Sequence, residues 1–386
     1  MQKRIYLDNA ATTPIDDLVL EAMMPFFKNE FGNASSLHSH GTIAKDTLEI
    51  CRYKIAKHLG ASSEEIVFTS SGTESNNWAI KGAAFANREK GNHIIVSAIE
   101  HDCILNTCKW LETQGFFVTY IPVDKTGLID IERLEKCINK KTILVSVMHA
   151  NNEIGTIQPL EEIGKICKEK GTYFHSDACQ TFGKLPLNVN KMNIDLLTLN
   201  SHKIYGPKGV GALFIRKGTN IAPLLHGGGQ EFGLRSSTEN IAGIVGFAKA
   251  ADLCFENIET ETKRLRDLRI TLTKTLLSNI ENSYLNGHPE HRLPNNINIG
   301  IAGLEGETIR LLLLLDELGI AVSAGSACSS NDNSNASHVL KAIGLNPFEA
   351  RGSIRISLGR FNTQSEIDAF TEVFQNSIKN LNPIFS

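Results

Sequence analysis

The 386-residue sequence lacks the large excess of one charge that would attract a polyelectrolyte. Lys and Arg number 39, Asp and Glu number 42, and the formal net charge is only −3. Proteins that hold nucleic acid or an anionic membrane by electrostatic attraction carry a strong basic patch or a basic excess. We therefore expect no direct nucleic-acid partner and no membrane partner, and we expect a small-molecule ligand.

Long apolar runs and closely paired cysteines are also missing. No segment reaches the roughly 18 apolar residues that a membrane helix needs, and the leucine block at 311–315 ends at Asp316 and Glu317. The eight cysteines include no CxxC pair and no Cys/His cluster at zinc-site spacing. The opening MQKRIYLDNAATTP lacks the apolar stretch of a signal peptide. We therefore predict a cytoplasmic protein with reduced cysteines.

Apolar and amphipathic segments alternate between about residues 60 and 215. The apolar, β-branched runs are EEIVFTS, HIIVSAI, FFVTYIPV, TILVSVM, TYFHSD, DLLTL and GALFIRK. Segments of helical spacing lie between several of them, as in LEEIGKICKEKG, where Gly171 is a helix stop. This alternation predicts an α/β fold with a mostly parallel seven-stranded sheet between helices. Ligands of such sheets bind beyond the carboxyl ends of the strands.

The pattern changes near Asn257. Beyond it lie a long charged helical segment, the strand-like NINIGI, a leucine-rich helix and the amphipathic SEIDAFTEVFQNSI. Mixed helices and strands of this kind predict an α+β unit. We predict a large ligand-binding domain over residues 13–257 and a smaller domain made of residues 1–12 and 258–386. The polar SSNDNSNAS at 329–337 predicts a loop.

Two strand ends carry residues whose chemistry is complementary. In DLLTLNSHKIYGPKGVG, Lys203 closely follows an apolar run, although a lysine taken alone is usually a solvated surface charge. In TYFHSDACQ, Asp177 ends another buried run and Gln180 follows three residues later. A carboxylate there is costly to bury unless it faces a cation, such as a protonated pyridine nitrogen. The alternative interpretation of Asp177 is a helix N-cap.

Two further strand ends complete the pattern. In VFTSSGTESNN, Gly72 and Thr73 lie at a helix start, where free amides and the helix dipole suit a phosphate. The same letters also fit a capping box with Thr73 as the cap and Asn76 in place of the usual Glu. In IEHDC, His101 either meets a bound ring or makes a structural hydrogen bond. An amine, a pyridinium partner and a phosphate cradle together predict pyridoxal 5′-phosphate.

Ten ordered blocks of the sequence carry a family resemblance. They read YLDNAATTP, FGNASSLH, SSGTESNN, EHD, ANNEIGTIQP, HSDACQ, SHKIYGPKGVG, GGGQEFGLRSSTEN, SAGSACSS and IRISLGR. In these blocks the chain resembles the cysteine desulfurases of the NifS/IscS type, which are fold-type I pyridoxal-phosphate enzymes of the class V aminotransferase group. The resemblance implies conversion of L-cysteine to L-alanine in a homodimer. It also implies sulfur delivery to an iron–sulfur scaffold protein or another acceptor, including tRNA thiolation.

The resemblance implies a role for each matching residue. At the cofactor ring, Lys203 would be the Schiff-base lysine, Asp177 would keep the pyridine nitrogen protonated, Gln180 would bond the ring hydroxyl, and His101 would stack on the ring. The phosphate would be bound by Thr73, Ser201 and His202 beside Gly72, and Thr238 would reach the phosphate of the neighbouring subunit. The substrate carboxylate would be held by Asn152 and Arg355. The family block usually has a glycine where Ser237 stands here. No metal is expected in this site.

The resemblance makes Cys328 the sulfur acceptor, as a persulfide that could also ligate an iron–sulfur cluster transiently. Cys328 alone lies in a loop-like run of small residues, whereas we expect the other seven cysteines to be buried, unreactive thiols. One alternative on the same fold is a selenocysteine lyase or another C–S lyase. A second alternative is a non-catalytic binding platform.

Overall fold

The apolar runs found in the sequence become strands in the computed structural model, which describes residues 4–324 and 336–381. The strands are β1 (Ile5–Tyr6), β2 (Ile66–Thr69), β3 (His93–Ser97), β4 (Phe117–Ile121), β5 (Thr142–Ser146), β6 (Tyr173–Asp177), β7 (Leu196–Asn200), β8 (Gly211–Ile215), β9 (Ser283–Leu285), β10 (Asn296–Ile301), β11 (Ile320–Ala321), β12 (Ser323–Ala324) and β13 (Ser353–Ser357). The helices are α1 (Asp17–Lys28), α2 (Ser39–Leu59), α3 (Gly72–Ala86), α4 (Asp102–Thr113), α5 (Ile131–Cys137), α6 (Leu160–Lys170), α7 (Ile241–Glu256), α8 (Ile258–Asn279), α9 (Thr308–Glu317), α10 (His338–Ala342) and α11 (Gln364–Leu381).

The central sheet has seven strands in the order β2-β8-β7-β6-β5-β3-β4. Strand β8 is antiparallel to both of its neighbours, and the pairs from β7 to β4 are parallel. The reversal follows from the connection at 201–210, which is too short for the dozen or more residues of a parallel crossover. The predicted mostly parallel seven-stranded sheet is therefore confirmed. Strands β2, β3, β5, β6 and β7 all end at the same edge.

Both faces of this sheet are buried, and single strands show why. On β3, Ile94 and Ile95 belong to different apolar clusters, and so do Leu196 and Leu197 on β7. Successive side chains of a strand point to opposite faces, so each face carries its own core. Helices α3 and α4 cover one face, and α2, α6 and α7 cover the other. Gly171 ends α6 in a left-handed conformation (φ 71°), as predicted.

The C-terminal part has a separate core around a four-stranded antiparallel sheet, β12-β13-β10-β9. The buried members of that core are Leu7 and residues from Leu265 to Ile378, including leucines from α8 and phenylalanines from α11. The two clusters of the seven-stranded sheet take none of these residues. This separation supports the boundaries 1–12, 13–257 and 258–386, which stay a prediction. Within the described residues, no helix has the length and apolar character to span a membrane.

Candidate cofactor-binding and catalytic site

A cavity of about 210 Å³ opens where the strands of the central sheet end. Its lining comprises Ala10, Ala11, Ser71, Gly72, Thr73, Asn76, His101, Cys103, Asn152, Asp177, Cys179, Asn200, His202, Lys203 and Arg355. These residues come from the ends of β6 and β7, from the loops that follow strands of the sheet, from the first turns of α3 and α4, from the N-terminal segment and from β13. The structure therefore brings eight of the predicted site residues to one cavity.

The loop after β7 presents Lys203 to the cavity and is held by the N-terminal segment. Both the backbone N–H and the hydroxyl of Thr13 donate to the carbonyl oxygen of His202, each at 2.9 Å. The His202 ring lies 3.2 Å from Thr12 Oγ1 and 3.3 Å from Asn200 Nδ2. Burial lowers the pKa of His202 to about 4, and the positive charge of Lys203 adds to this effect. His202 is therefore a neutral ring beside a cationic amine.

Asp177 lies at the end of β6 with hydrogen-bond donors on both of its oxygens. Asn76 Nδ2 donates at 2.7 Å to one oxygen, and the backbone N–H of Cys179 donates at 2.8 Å to the other. The alternative that Asp177 caps a helix is wrong, because residues 179–184 form turns. No sequence motif indicated this contact of Asn76 with Asp177. The spacing of four residues between Gly72 and Asn76 places both residues on the same face of α3.

The start of α3 forms the wall of the cavity next to Asp177. Ser71 has an extended backbone and accepts a hydrogen bond from the N–H of Glu74 at 3.1 Å, so Ser71 is the N-cap. The capping box with Thr73 as cap is therefore wrong, because Thr73 already lies inside the helix. A Cβ added to Gly72 would lie only 2.6 Å from Cys179 Sγ. Glycine is thus required at Gly72 by packing against the turn that carries Cys179.

His101 both caps a helix and faces the cavity. Its Nδ1 accepts a hydrogen bond from the backbone N–H of Cys103 at 3.2 Å, which makes His101 the N-cap of α4. Burial lowers the pKa of the imidazole; Asp177 opposes this effect and Lys203 adds to it. The two interpretations from the sequence are therefore compatible, because a neutral, oriented ring is available at the cavity.

Two cysteines that were expected to be unreactive also line the cavity. Cys103 Sγ lies 3.1 Å from His101 Nδ1 and 3.3 Å from Asn76 Nδ2. Burial and the nearby Asp177 raise the pKa of Cys103 to about 12 and raise that of Cys179 well above its ordinary value. Because the thiolate is the reactive form, both side chains remain protonated and weakly nucleophilic at neutral pH.

The guanidinium of Arg355 reaches the cavity from β13. It is almost fully buried, and its Nη1 donates at 3.2 Å to the carbonyl oxygen of Asn152. Its Nη2 lies 2.9 Å from the carboxylate of Asp8. Burial raises the pKa of Asp8, whereas the charge of Arg355 opposes that rise. Asp8 was not among the predicted site residues, although it lies in the block YLDNAATTP.

The remaining predicted residues lie beside or away from the cavity. Gln180 is buried, and its amide donates to the carbonyl oxygen of Ala10 at 2.9 Å. Ser201 is buried, and its neighbours in sequence, Asn200 and His202, both line the cavity. Thr238 is exposed and lines a different depression, together with Ser70. Cys328 and residues 329–335 of the predicted polar loop lie outside the described residues.

Unpartnered polar atoms surround the cavity and test whether a polar cofactor fits it. Four buried side-chain oxygens there have no hydrogen-bond partner among residues 4–324 and 336–381: Asn76 Oδ1, Gln180 Oε1, Asn200 Oδ1 and Ser201 Oγ. An unsatisfied buried polar group costs about 1–3 kcal/mol, so a concentration of them indicates a ligand that satisfies them. Together with the amine of Lys203 and the carboxylate of Asp177, they fit pyridoxal phosphate.

Comparison with known proteins agrees with this geometry. The profile of the aminotransferase class-V family matches residues 5–370. The chain belongs to the class V aminotransferase family. Because this family is pyridoxal-phosphate dependent, the predicted cofactor is confirmed.

Relatives within the class V family are similar over the whole chain. A cysteine desulfurase IscS from Dictyoglomus turgidum is 51% identical, with 100% of this chain and 97% of the relative covered. A solved NifS-like protein has a TM-score of 0.91 at 41% identity, covering 98% of this chain and 100% of that one. The structure of SspA in complex with cysteine has a TM-score of 0.80 at 39% identity, covering 93% and 100%. The predicted resemblance and fold type are confirmed.

Proposed function

We propose that the protein is a cysteine desulfurase that converts L-cysteine to L-alanine and transfers the sulfur atom to Cys328. The observation that carries this proposal is that Lys203, Asp177 and Arg355 line one cavity. An amine, a carboxylate and a guanidinium are the groups needed to attach pyridoxal phosphate, protonate its ring and bind an amino-acid carboxylate. The full-length similarity to enzymes named cysteine desulfurase supports the same activity.

The residues around the cofactor have separate tasks. Bound pyridoxal phosphate supplies an electron-accepting pyridine ring, which makes the Cα–H bond of an amino acid acidic. Lys203 would hold the cofactor through its amine and would take a proton from the Cα atom of the substrate. Asp177, oriented by Asn76, keeps the proton on the ring nitrogen. The neutral ring of His101 covers the site and is available for proton transfer.

Arg355 and Asn152 bind the carboxylate of the substrate in this proposal. Arg355 already faces the carboxylate of Asp8 at 2.9 Å, and its buried Nε has no partner within the described residues. A substrate carboxylate would therefore share a guanidinium that Asp8 holds in place, and a two-pronged contact would satisfy its free donor. The solved complex of the related SspA with cysteine supports an amino-acid ligand in this fold.

The sulfur transfer moves the sulfur atom of the substrate to Cys328 without an external oxidant or reductant. The thiolate of Cys328 attacks the sulfur of cysteine; a new S–S bond forms, the Cβ–S bond breaks, and the carbon product takes up protons to leave as L-alanine. The net change is L-cysteine plus a thiol giving L-alanine plus a persulfide. The protonated thiols of Cys103 and Cys179 are poor substitutes for this nucleophile. The persulfide would then supply an iron–sulfur scaffold protein or another acceptor in the cytoplasm.

A homodimer with shared sites is part of the proposal. Thr238 is exposed and lies outside the cavity of its own chain, as expected for a residue that serves a neighbouring subunit. Its loop is fixed to α2 by an ion pair between Glu231 and Arg52 at 2.8 Å. Helices α1 and α2 expose an unusual number of large apolar side chains: Leu20, Met24, Phe27, Ile43, Ile50 and Tyr53. We infer that this face contacts the second subunit.

Replacement of Lys203 tests the proposed function. Lys203→Ala should abolish the visible absorbance of the bound cofactor and the formation of alanine from L-cysteine, without unfolding the protein. Lys208→Ala is the matched control, because Lys208 is an exposed lysine of the same loop and should keep both signals. Alanine formation by Lys203→Ala at the wild-type rate would contradict the proposal. Comparing selenocysteine and cystine with cysteine as substrates separates the alternative C–S lyases.

A further inference from the structure

A second cavity, of about 400 Å³, lies behind the cofactor cavity where α7 meets α8. Lys203 lines both cavities, so the two are separated by little more than the loop that carries this lysine. The walls are largely apolar and include Leu253, Ile258 and Leu265. The volume lies in the usual range for small-molecule sites.

The carboxylates that line this second cavity are already paired with arginines. Asp16 lies 2.8 Å from Arg360. Glu261 forms a two-pronged pair with Arg264, in which both N–O distances are 2.8 Å. These two carboxylates therefore bring no unpaired negative charge to the cavity.

Two lysines line this cavity, Lys203 and Lys184, and Lys184 is the more buried of the two. It is only 9% exposed, and its Nζ donates to the carbonyl oxygen of Gln180 at 3.2 Å. Among the described residues no carboxylate lies within ion-pair distance of this nitrogen. Burial, with a smaller contribution from Lys203, lowers the pKa of Lys184 to about 8. Keeping a lone buried cation costs stability, so its presence suggests an anion that binds there.

A second buried polar side chain in the same wall, that of Asn295, is only partly hydrogen-bonded. Asn295 is 2% exposed, and its amide donates to the carbonyl oxygen of Leu358 at 3.0 Å. In the part of the chain that the structure describes, no group donates a hydrogen bond to its Oδ1. The cavity therefore offers an ammonium donor, an unused amide acceptor and apolar walls.

We propose that this cavity binds a small carboxylate that has an apolar body and one hydroxyl or amine donor. The carboxylate pairs with Lys184, the donor bonds Asn295, and the apolar body packs against Leu253 and Leu265. Because this ligand occupies a separate cavity, the proposal does not depend on which substrate binds in the cofactor cavity.

Equilibrium dialysis of the holoenzyme with L-phenyllactate tests the proposal. This probe has a carboxylate, a hydroxyl and a phenyl ring, and it has no amine that could condense with the cofactor. We expect one saturable site per chain. Lys184→Met should weaken binding at least about tenfold, because one charge-assisted contact is lost. Lys184→Arg should retain most of the binding because it keeps a cation.

Arg355→Met is the matched control, since Arg355 is a buried cation of the cofactor cavity and the variant removes its charge as Lys184→Met removes that of Lys184. Binding that weakens in Arg355→Met and survives in Lys184→Met would put the probe in the cofactor cavity and overturn the proposal, as would the absence of saturable binding to the wild type. If Lys184→Met does not fold, Leu253→Trp fills the cavity while keeping its charges. Unchanged binding to Leu253→Trp would then reject the site.

Discussion

At the scale of single residues, the cavity contains more thiols than the reaction uses. Cys103 and Cys179 line it, yet burial beside Asp177 keeps both protonated. The cysteine assigned to sulfur transfer, Cys328, comes instead from a run of small residues in the sequence. Position in the cavity and reactivity are thus separate properties, because desolvation decides which thiol becomes a thiolate.

Cysteine replacements should reveal this separation. Cys103→Ser should keep cofactor absorbance and alanine formation within about threefold of wild type, because a protonated thiol of this kind contributes only packing and weak hydrogen bonds. Cys328→Ser should keep the cofactor and lose sulfide release from L-cysteine. For both variants, absorbance measures the bound cofactor, and assays of alanine and sulfide measure the reaction. Free desulfuration by Cys328→Ser would replace the persulfide route by direct elimination of sulfide.

Glu153 should make stability depend on pH. Burial raises its pKa from 4.5 to about 7, whereas the Ser337 hydroxyl at 2.5 Å and the charge of Arg355 oppose the rise. The folded state therefore binds this proton more tightly than the unfolded state, and stability is lost as pH rises from 4.5 through 7. Glu153→Gln should remove that loss, which is about 3 kcal/mol at most.

Thermal melts of wild type and Glu153→Gln from acidic to mildly basic pH provide the measurement. The difference in Tm should grow in favour of the variant as pH rises. Glu162→Gln is the control, because Glu162 is an exposed carboxylate on α6. A difference in Tm that stays constant with pH would show that Glu153 has the same pKa in both states.

At the scale of elements, the positions of the strands were easier to predict than the directions in which the strands pair. All seven apolar runs form strands of one sheet, and five of these strands are buried at every residue, which leaves a nearly continuous apolar signal. The antiparallel direction of β8 was not predicted, since it depends on the short connection at 201–210 and not on the composition of the strand. The cap of α3 was misplaced by two residues for a similar reason, because Ser71 and Thr73 are both good caps in sequence terms.

The residues of the cofactor cavity likewise differ in whether the local sequence indicates them. Lys203 and Asp177 were predicted because each lies at or just after the end of an apolar run that indicates a buried strand. Asp8 and Asn76 were not, since their partners Arg355 and Asp177 are distant in sequence and only folding brings them within 2.9 and 2.7 Å. Pairings of this kind leave no local pattern in the chain.

The contact between the start of α3 and the turn after β6 allows a compensation test. Gly72→Ala should destabilise the protein by about 1–3 kcal/mol, because its Cβ would press against Cys179 Sγ. Gly72→Ala combined with Cys179→Ala should recover most of that loss in denaturant unfolding. If Gly72 also lets the backbone approach the phosphate, cofactor affinity will remain weak in the double variant. Full recovery of affinity would assign Gly72 to packing alone.

At the scale of the whole molecule, the proposed dimer predicts a specific sensitivity. Ile50 on α2 is 57% exposed within the apolar face assigned to the second subunit. Ile50→Asp would bury a charge in that contact and should shift the protein towards monomer in sedimentation, with loss of cofactor affinity. Ile309→Asp is the matched control, because Ile309 is 70% exposed on α9 and should leave the dimer intact. Equal sedimentation of both variants would reject this face as the interface.

The segment 8–13 connects parts of the molecule that are far apart in sequence. Asn9 donates to the carbonyl oxygen of Ser357 on β13 at 2.9 Å, Ala10 accepts from Gln180, and Thr13 bonds His202. One short stretch of backbone therefore acts as a common anchor for the lysine loop and for the strand that carries the arginine. Any rocking of the C-terminal unit against the central sheet would have to drag this anchor along, and the reactive amine with it.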